Sequence, residues 1–262
     1  MEYSVVIPLF NSEATIIDSV KSIENQTRYD LIKEIIIVDD GSTDKSLMVV
    51  EQLAQFNEKI KIYSQKNAGA ASARNHGISK TSCRFVALLD SDDTWNKEKI
   101  EIQDRILEQN PDVKALGSNR VGEQIRIGKK IKDELYLISP ITYAMKNWPC
   151  TPSLIFDKNV FSNDEYFQTN YSHAEEGLFF LKLANDCGLY YCTQPLVYCG
   201  GGKRTFGSSG LSGNIKLMHK GVKSMIREGA EKGYYSRMIS IPLCLYEDLK
   251  YLRRIAITKF HK

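Results

Sequence analysis

Five aspartates in two short groups carry the strongest chemical signal in the sequence. Asp39 and Asp40 form one group, ahead of Gly41-Ser42, and Asp90, Asp92 and Asp93 form the other, around Ser91. Carboxylates gathered at one place repel one another and raise each other's pKa unless a cation or a polar partner compensates. Hard oxygen ligands of this kind suit Mg2+ or Mn2+, which keep several waters and complete their shells with the phosphate oxygens of a ligand. The alternation Asp90-Ser91-Asp92 turns two carboxylates toward one side of a strand end. One can then hold a metal while the other holds a ribose or a metal-bound water.

The elements that must position these acids can be read from periodicity. Ser4 to Phe10 is short, β-branched and continuously apolar, as a strand buried on both faces of a parallel sheet should be. Ala14, Ile17, Val20, Lys21 and Ile23 to Glu24 trace one face of a following helix, which stops at Asn25-Gln26-Thr27. A second buried strand, Glu34 to Val38, runs into Asp39-Asp40, and Thr43 or Asp44 is placed to cap the next helix. A third strand (Ile60 to Tyr63), a small-residue helix (Ala70 to Ser79) and a fourth strand (Phe85 to Leu89) complete the alternation, with a helix over Asn96 to Glu108 beyond. Repeated β-α-β units imply an α/β fold, a twisted and mostly parallel sheet with helices on both faces. Ligands of such sheets bind outside the carboxyl ends of the strands, so both acidic groups should face one crevice. Beyond about residue 115 the alternation weakens and prolines and glycines mark a less regular half.

Composition restricts the function classes. With 42% hydrophobic and 26% charged residues in 262, the chain is an ordinary globular protein, and a formal charge of +3 is too small to suggest a nucleic-acid partner. The six cysteines lack the close spacing of a zinc site or a redox pair and read as reduced thiols of a cytoplasmic protein. The chain enters a strand at once, which leaves no room for a signal peptide, and no apolar stretch reaches membrane-spanning length. From Lys250 to Lys262 it carries Lys250, Arg253, Arg254, Lys259, His261 and Lys262 with no acid, interleaved with apolar residues. Such a tail fits either peripheral contact with the anionic inner face of a membrane or a solvated helix end.

Four segments in order resemble the family-2 glycosyltransferases: Val6-Ile7-Pro8-Leu9-Phe10-Asn11, Val38-Asp39-Asp40-Gly41-Ser42-Thr43-Asp44, Asn67 to Gly77, and Leu89-Asp90-Ser91-Asp92-Asp93. The resemblance implies a GT-A (Rossmann-like) fold and inverting transfer from a nucleotide diphosphate sugar, often a UDP-sugar, with Mn2+ or Mg2+ as cofactor. It implies a nucleotide site made by Pro8, Leu9, Phe10, Asn11, Asp39, Asp40, Asn67, Arg74, Asp90 and Ser91, with Asp92 as metal ligand. On this reading residues 1–115 bind the donor, 116–215 hold the acceptor and the catalytic base, and 216–262 form a helical extension. The implied acceptor is a saccharide, such as a lipid-linked oligosaccharide or a surface polysaccharide.

Inversion requires a base that takes the proton of the attacking hydroxyl. Glu175-Glu176, at the head of a helix running to Asn185, resembles the acidic pair of the family, and position makes Glu176 the base with Glu175 its neighbour. Acids are also favoured in a first helical turn by the helix dipole alone. Lys203 and Arg204, in a Gly-rich stretch where relatives carry a loop over the donor, would bind the diphosphate; an ordinary exposed loop is the other reading. Trp148 lies where the family contacts acceptors, as a stacking surface for a sugar or as simple core. His76 reads as a packing residue. A nucleotide-sugar-binding protein without catalysis is the alternative function, and a receiver domain would be about half this long with no use for Glu175 and Glu176.

Overall fold

A computed structural model describes residues 1–161, 166–169, 175–200 and 214–260. The opening β-branched run forms β1 (Tyr3–Leu9), with every residue buried. Its alternate side chains enter two different cores: Val6 joins one with Ile36, Val38, Val86 and Leu88, whereas Val5 and Ile7 join the other with Ile35, Ile37 and Ala87. That two-sided burial is why the strand reads as a continuous apolar run rather than an alternation.

The further strands are β2 (Ile32–Asp39), β3 (Ile60–Ser64), β4 (Phe85–Leu88), β5 (Thr94–Trp95), β6 (Ala115–Arg120), β7 (Lys129–Lys132), β8 (Leu135–Ile138), β9 (Ile155–Asp157) and β10 (Leu189–Tyr198). The helices are α1 (Ile16–Glu24), α2 (Ser46–Ala54), α3 (Ala70–Ser79), α4 (Lys99–Gln109), α5 (Pro140–Lys146), α6 (Glu176–Asp186), α7 (Ile215–Glu231) and α8 (Arg237–Phe260). One sheet takes the order β3-β2-β1-β4-β9-β6-β10-β8-β7, with β5 against β10. The block β3-β2-β1-β4 is parallel. Because the chain leaves β1 toward β2 and β3 and returns to β4 on its other side, a crevice opens between the ends of β1 and β4. The fold is thus the α/β, mostly parallel sheet with helices expected from the sequence, and the sheet continues past residue 115. There the three-residue β9 inserts antiparallel between β4 and β6.

Two glycines let the site-bearing elements approach. A Cβ on Gly77 would meet Val6 Cγ1 at 2.5 Å, so only glycine allows α3 to lie this close to β1. Gly41 has φ +71°, the left-handed turn that carries the chain off β2 straight after Asp40.

Three local expectations shift. The buried face of α1 is Ile16, Ser19, Val20 and Ile23, whereas Ile17 and Ala14 are exposed; the buried side is set by contact with the sheet core, to which Ile16 belongs. Helix α2 starts at Ser46, and Asp44 restrains it from outside by accepting from the Ser46 backbone N–H at 2.9 Å. Helix α4 starts at Lys99, three residues later than expected, because Asn96 is used in a turn: its Oδ1 accepts from the Glu98 N–H and its own N–H donates to Leu196 O.

Candidate active site

A cavity of about 980 Å³ opens at the carboxyl ends of β1 and β4. Pro8, Leu9, Phe10 and Asn11 line it from the end of β1, Asp40 and Asn67 from the loops after β2 and β3, Arg74 from α3, and Asp90, Ser91, Asp92 and Asp93 from the loop after β4. Glu175 and Glu176, at the head of α6, close the far side. A second cavity of about 520 Å³ adjoins it, walled by Arg120, Glu123, Tyr143, Trp148 and Cys150 together with Val222, Met225 and Arg254 of the two C-terminal helices. Asp90, Asp93, Thr151, Glu176 and Met218 border both spaces.

Asp39 stays out of this assembly. Successive side chains of a strand end point to opposite sides, and Asp39 is buried with its Oδ1 accepting from the Ser42 N–H at 3.2 Å, a turn-forming role. Asp40 reaches the cavity, but its carboxylate accepts from Gln65 Nε2, the Ala68 N–H and the Gly69 N–H, each at 2.8 Å. It therefore clamps the loop that starts α3. Asn67 supports the same loop by donating to Asp40 O at 2.9 Å. Asn11, with φ 47°, accepts from the Thr43 N–H at 2.8 Å and ties the end of β1 to the turn after β2.

Arg74 is the electrostatic centre of the larger cavity. Its Nη2 donates to Asp90 Oδ1 at 2.6 Å, its Nη1 lies 3.6 Å from Glu175 Oε1, and its guanidinium rests 5.4 Å from the Phe167 ring centroid. Burial would lower its pKa, but Asp90 and Glu175 outweigh that and hold the cation protonated. Nε and Nη1 of this buried side chain have no hydrogen-bond acceptor among the described residues. Arg74 thus aligns the acid after β4 with the acid at the head of α6.

Two carboxyls have strongly raised pKa values. Burial, then repulsion from Asp90 and Asp92, lifts Asp93 to about 7, although it accepts from the Gly200 N–H at 2.7 Å. Burial and the adjacent Glu175 lift Glu176 to about 7 as well. Asp90, Asp92 and Asp93 crowd negative charge at one place, beyond the Arg74 bridge to Asp90, and a divalent cation would relieve it. Asp92 is exposed at the cavity mouth, where such an ion is reachable. Among the described residues no three acids, histidines or cysteines converge as a closed cage. An ion here would take one or two protein oxygens and fill its shell from a diphosphate and water, as Mg2+ and Mn2+ do.

Trp148 does not offer an open stacking platform. The ring is only 4% exposed, and the Arg120 guanidinium lies 4.8 Å from its centroid. Arg120 is itself engaged by Glu123. Trp148 is wall rather than surface, and Trp95 is likewise buried, donating from Nε1 to Pro152 O at 2.8 Å. His76 packs beside Tyr63 and shares a hydrogen bond with Gln65. Lys203 and Arg204 lie outside the described residues.

Several lining residues escape a sequence reading. Ser12 hydrogen-bonds Ser91 hydroxyl to hydroxyl at 2.8 Å, and Thr15 donates to Ser91 O at 2.8 Å, so the start of α1 holds the acidic loop in place. Neither serine nor threonine near a helix start signals more than a cap. Cys150 and Cys199 bring their Sγ atoms to 4.0 Å in the wall of the smaller cavity, a pairing across 49 residues that no spacing rule reveals. Met218, Met225 and Arg254 come from the C-terminal helices, which fold back over the site.

The sequence profile described as Glycosyl transferase family 2 matches residues 4–161, more than half of the chain and all four segments that line the larger cavity. The chain belongs to this family. Among relatives of this chain, an uncharacterised glycosyltransferase of Rickettsia conorii is 28% identical over 206 residues, 78% of this chain and 34% of the relative. TarS of Staphylococcus aureus, a poly(ribitol-phosphate) beta-N-acetylglucosaminyltransferase, is 28% identical over 210 residues, 74% of this chain and 36% of TarS. The chain thus spans about a third of the length of these curated relatives. The structure of TarS residues 1–349 in complex with UDP-GlcNAc superposes with a TM-score of 0.66 at 22% identity, covering 87% of this chain and 67% of that one. The mannosyltransferase PcManGT from Pyrobaculum calidifontis, in complex with GDP-Man and Mn2+, gives 0.67 at 16% identity, covering 94% and 68%. These likenesses show the GT-A fold.

Proposed function

We propose that this glycosyltransferase moves a sugar from a nucleotide diphosphate donor, taken to be a UDP-sugar by its likeness to TarS, to a hydroxyl of a saccharide acceptor, with inversion at the anomeric carbon. The donor occupies the larger cavity and the acceptor, such as a lipid-linked oligosaccharide or a surface polysaccharide, the smaller one. The observation that carries this reading is Glu176: it stands where the two cavities meet, with a carboxyl whose pKa is raised to about 7. A general base is most effective when its pKa lies near the working pH.

In the proposed step Glu176 takes the proton of the acceptor hydroxyl. The oxygen bonds to the anomeric carbon as the bond from that carbon to the diphosphate oxygen breaks, and the nucleoside diphosphate leaves with the electron pair. Arg74 fixes Asp90 and Glu175 relative to each other, so that the donor side and the base side keep their spacing. Asp40 orders the loop before α3, and Asp92 with the neighbouring acids is the place for Mn2+ or Mg2+. A bound divalent ion would neutralise the charge that develops on the diphosphate.

Thermal melting with a panel of nucleoside diphosphates, with and without Mn2+, tests the donor half of this proposal. UDP should raise the melting temperature in a metal-dependent manner, and Asp92→Ala should remove the metal dependence. Absence of a shift with every nucleotide and metal would contradict a nucleotide site here.

A further inference from the structure

Helix α8 carries an apolar stripe that nothing among the described residues covers. Met238 is 81% exposed, Ile241 64%, Leu245 60%, Leu249 64% and Leu252 61%. At 100° per residue these five, with exposed Ala256, fall within an arc of roughly 100°, one continuous ridge about 27 Å long. Isolated exposed apolar residues are ordinary, but a contiguous ridge of this length marks a contact surface.

The charges around the ridge identify the partner. Arg237 and Arg253 flank it, both exposed. The acids of α8 are turned to partners: Glu247 is buried against Lys250 and Arg254, and Asp248 is held by Lys223 and His219 of α7. On α7, Lys216, Lys220, Lys223 and Arg227 repeat at helical spacing as a basic row, all but Lys223 exposed, and the Lys223–Asp248 bridge places that row alongside the ridge. An apolar ridge bordered by a cationic one is the pattern of a helix pair lying in an anionic bilayer interface. No helix among the described residues is long and apolar enough to cross a membrane, so the contact is in-plane.

A second copy of the chain fits less well. Each ridge side chain removes on the order of 100 Å² from water, roughly 500 Å² for the five, against about 800 Å² per partner in a standard stable interface. An antiparallel two-fold ridge-to-ridge pairing would also bring like basic rows together.

We propose that the outward face of α8, with the basic row of α7, seats the protein on an anionic lipid surface. Helix α8 also walls the smaller cavity through Arg254, so this seating would hold that cavity beside the bilayer, where the saccharide of a lipid-linked acceptor is presented. Only that last consequence rests on the proposed function; binding to vesicles does not.

The test is flotation of the full chain with phosphatidylcholine vesicles and with vesicles containing about 30% phosphatidylglycerol, for wild type, Leu245→Asn/Leu249→Asn and Lys220→Glu/Arg227→Glu. Wild type should float with the anionic vesicles at least about tenfold better than with the neutral ones. The leucine pair should lose binding to both, and the charge reversal should lose the preference for anionic lipid by more than about tenfold. Both variants alter exposed or solvent-facing positions and should keep the wild-type melting temperature and its nucleotide-induced shift. The proposal is overturned if wild type floats with neither vesicle, if the leucine variant floats as wild type does, or if light scattering shows a dimer that the leucine substitutions dissolve.

Discussion

Replacing Glu176 by Gln should make the protein more stable and less active at once, and the size of each effect follows from the site. The folded protein holds the Glu176 carboxyl at about 7, chiefly through burial and then through Glu175, against an ordinary value of 4.5. Between those two pH values the unfolded chain has lost this proton and the folded chain has kept it. Stability therefore falls as pH rises from about 4.5 to about 7 and stays low above that. At about 1.4 kcal/mol per pH unit the wild type carries a penalty on the order of 3 kcal/mol at pH 8, which glutamine, being neutral, avoids. Urea unfolding of both proteins at pH 5 and pH 8 should show a larger advantage for Glu176→Gln at pH 8. Turnover should fall by about 10²- to 10⁴-fold, the usual contribution of a positioned base, and wild-type kcat/KM should decline about tenfold per pH unit below 7. A variant that is less stable at both pH values, or whose advantage does not shrink at pH 5, would refute this view of the carboxyl.

Further perturbations test the scaffold. Lys99 is fully buried, its ammonium 4.2 Å from the Trp95 ring centroid, and burial lowers its pKa to about 7. Since the unfolded lysine still binds its proton, wild-type stability should rise from pH 7 to 10, and Lys99→Met should be more stable by about 2–4 kcal/mol at pH 6, with the gap narrowing as pH rises, as denaturant melts will show. Asp40→Ala removes the acceptor of three hydrogen bonds and should cost about 2–4 kcal/mol, together with weaker nucleotide binding by calorimetry because the loop before α3 loses its clamp. Gly77→Ala drives a methyl group into Val6 and should cost about 1–3 kcal/mol in the same melts.

Where local chemistry and periodicity agree, the sequence is readable. The runs around Val5–Ile7 and Ile35–Val38 are apolar throughout because both sheet faces are covered, and α3 has the bounds its small-residue pattern predicts. The acids after β4 were expected at the crevice and line it. What the sequence hides is geometry settled by distant contacts. The phase of α1 depends on which side meets the sheet, so Ile16 rather than Ile17 is inside. Strand β9 has three residues, too few for any period to show, and is held by backbone bonds to β4 and β6. Asp39 and Asp40 are alike as letters, yet one turns into a loop and the other faces the cavity. Trp148 has the chemistry of a sugar platform, and only the packing of Arg120 over it shows that it is wall. The fold-back of α7 and α8, which brings Met218 and Arg254 to the site, leaves no local trace.

The most direct test of single displacement by a base at the cavity junction is the anomeric configuration of the sugar released. Proton NMR, recorded in the first minutes of slow hydrolysis of a UDP-sugar that the protein turns over, reads it before mutarotation. An α-linked donor should give a nascent β-sugar, formed at a rate that Glu176→Gln lowers. A nascent α-sugar, or release untouched by that substitution, would contradict it.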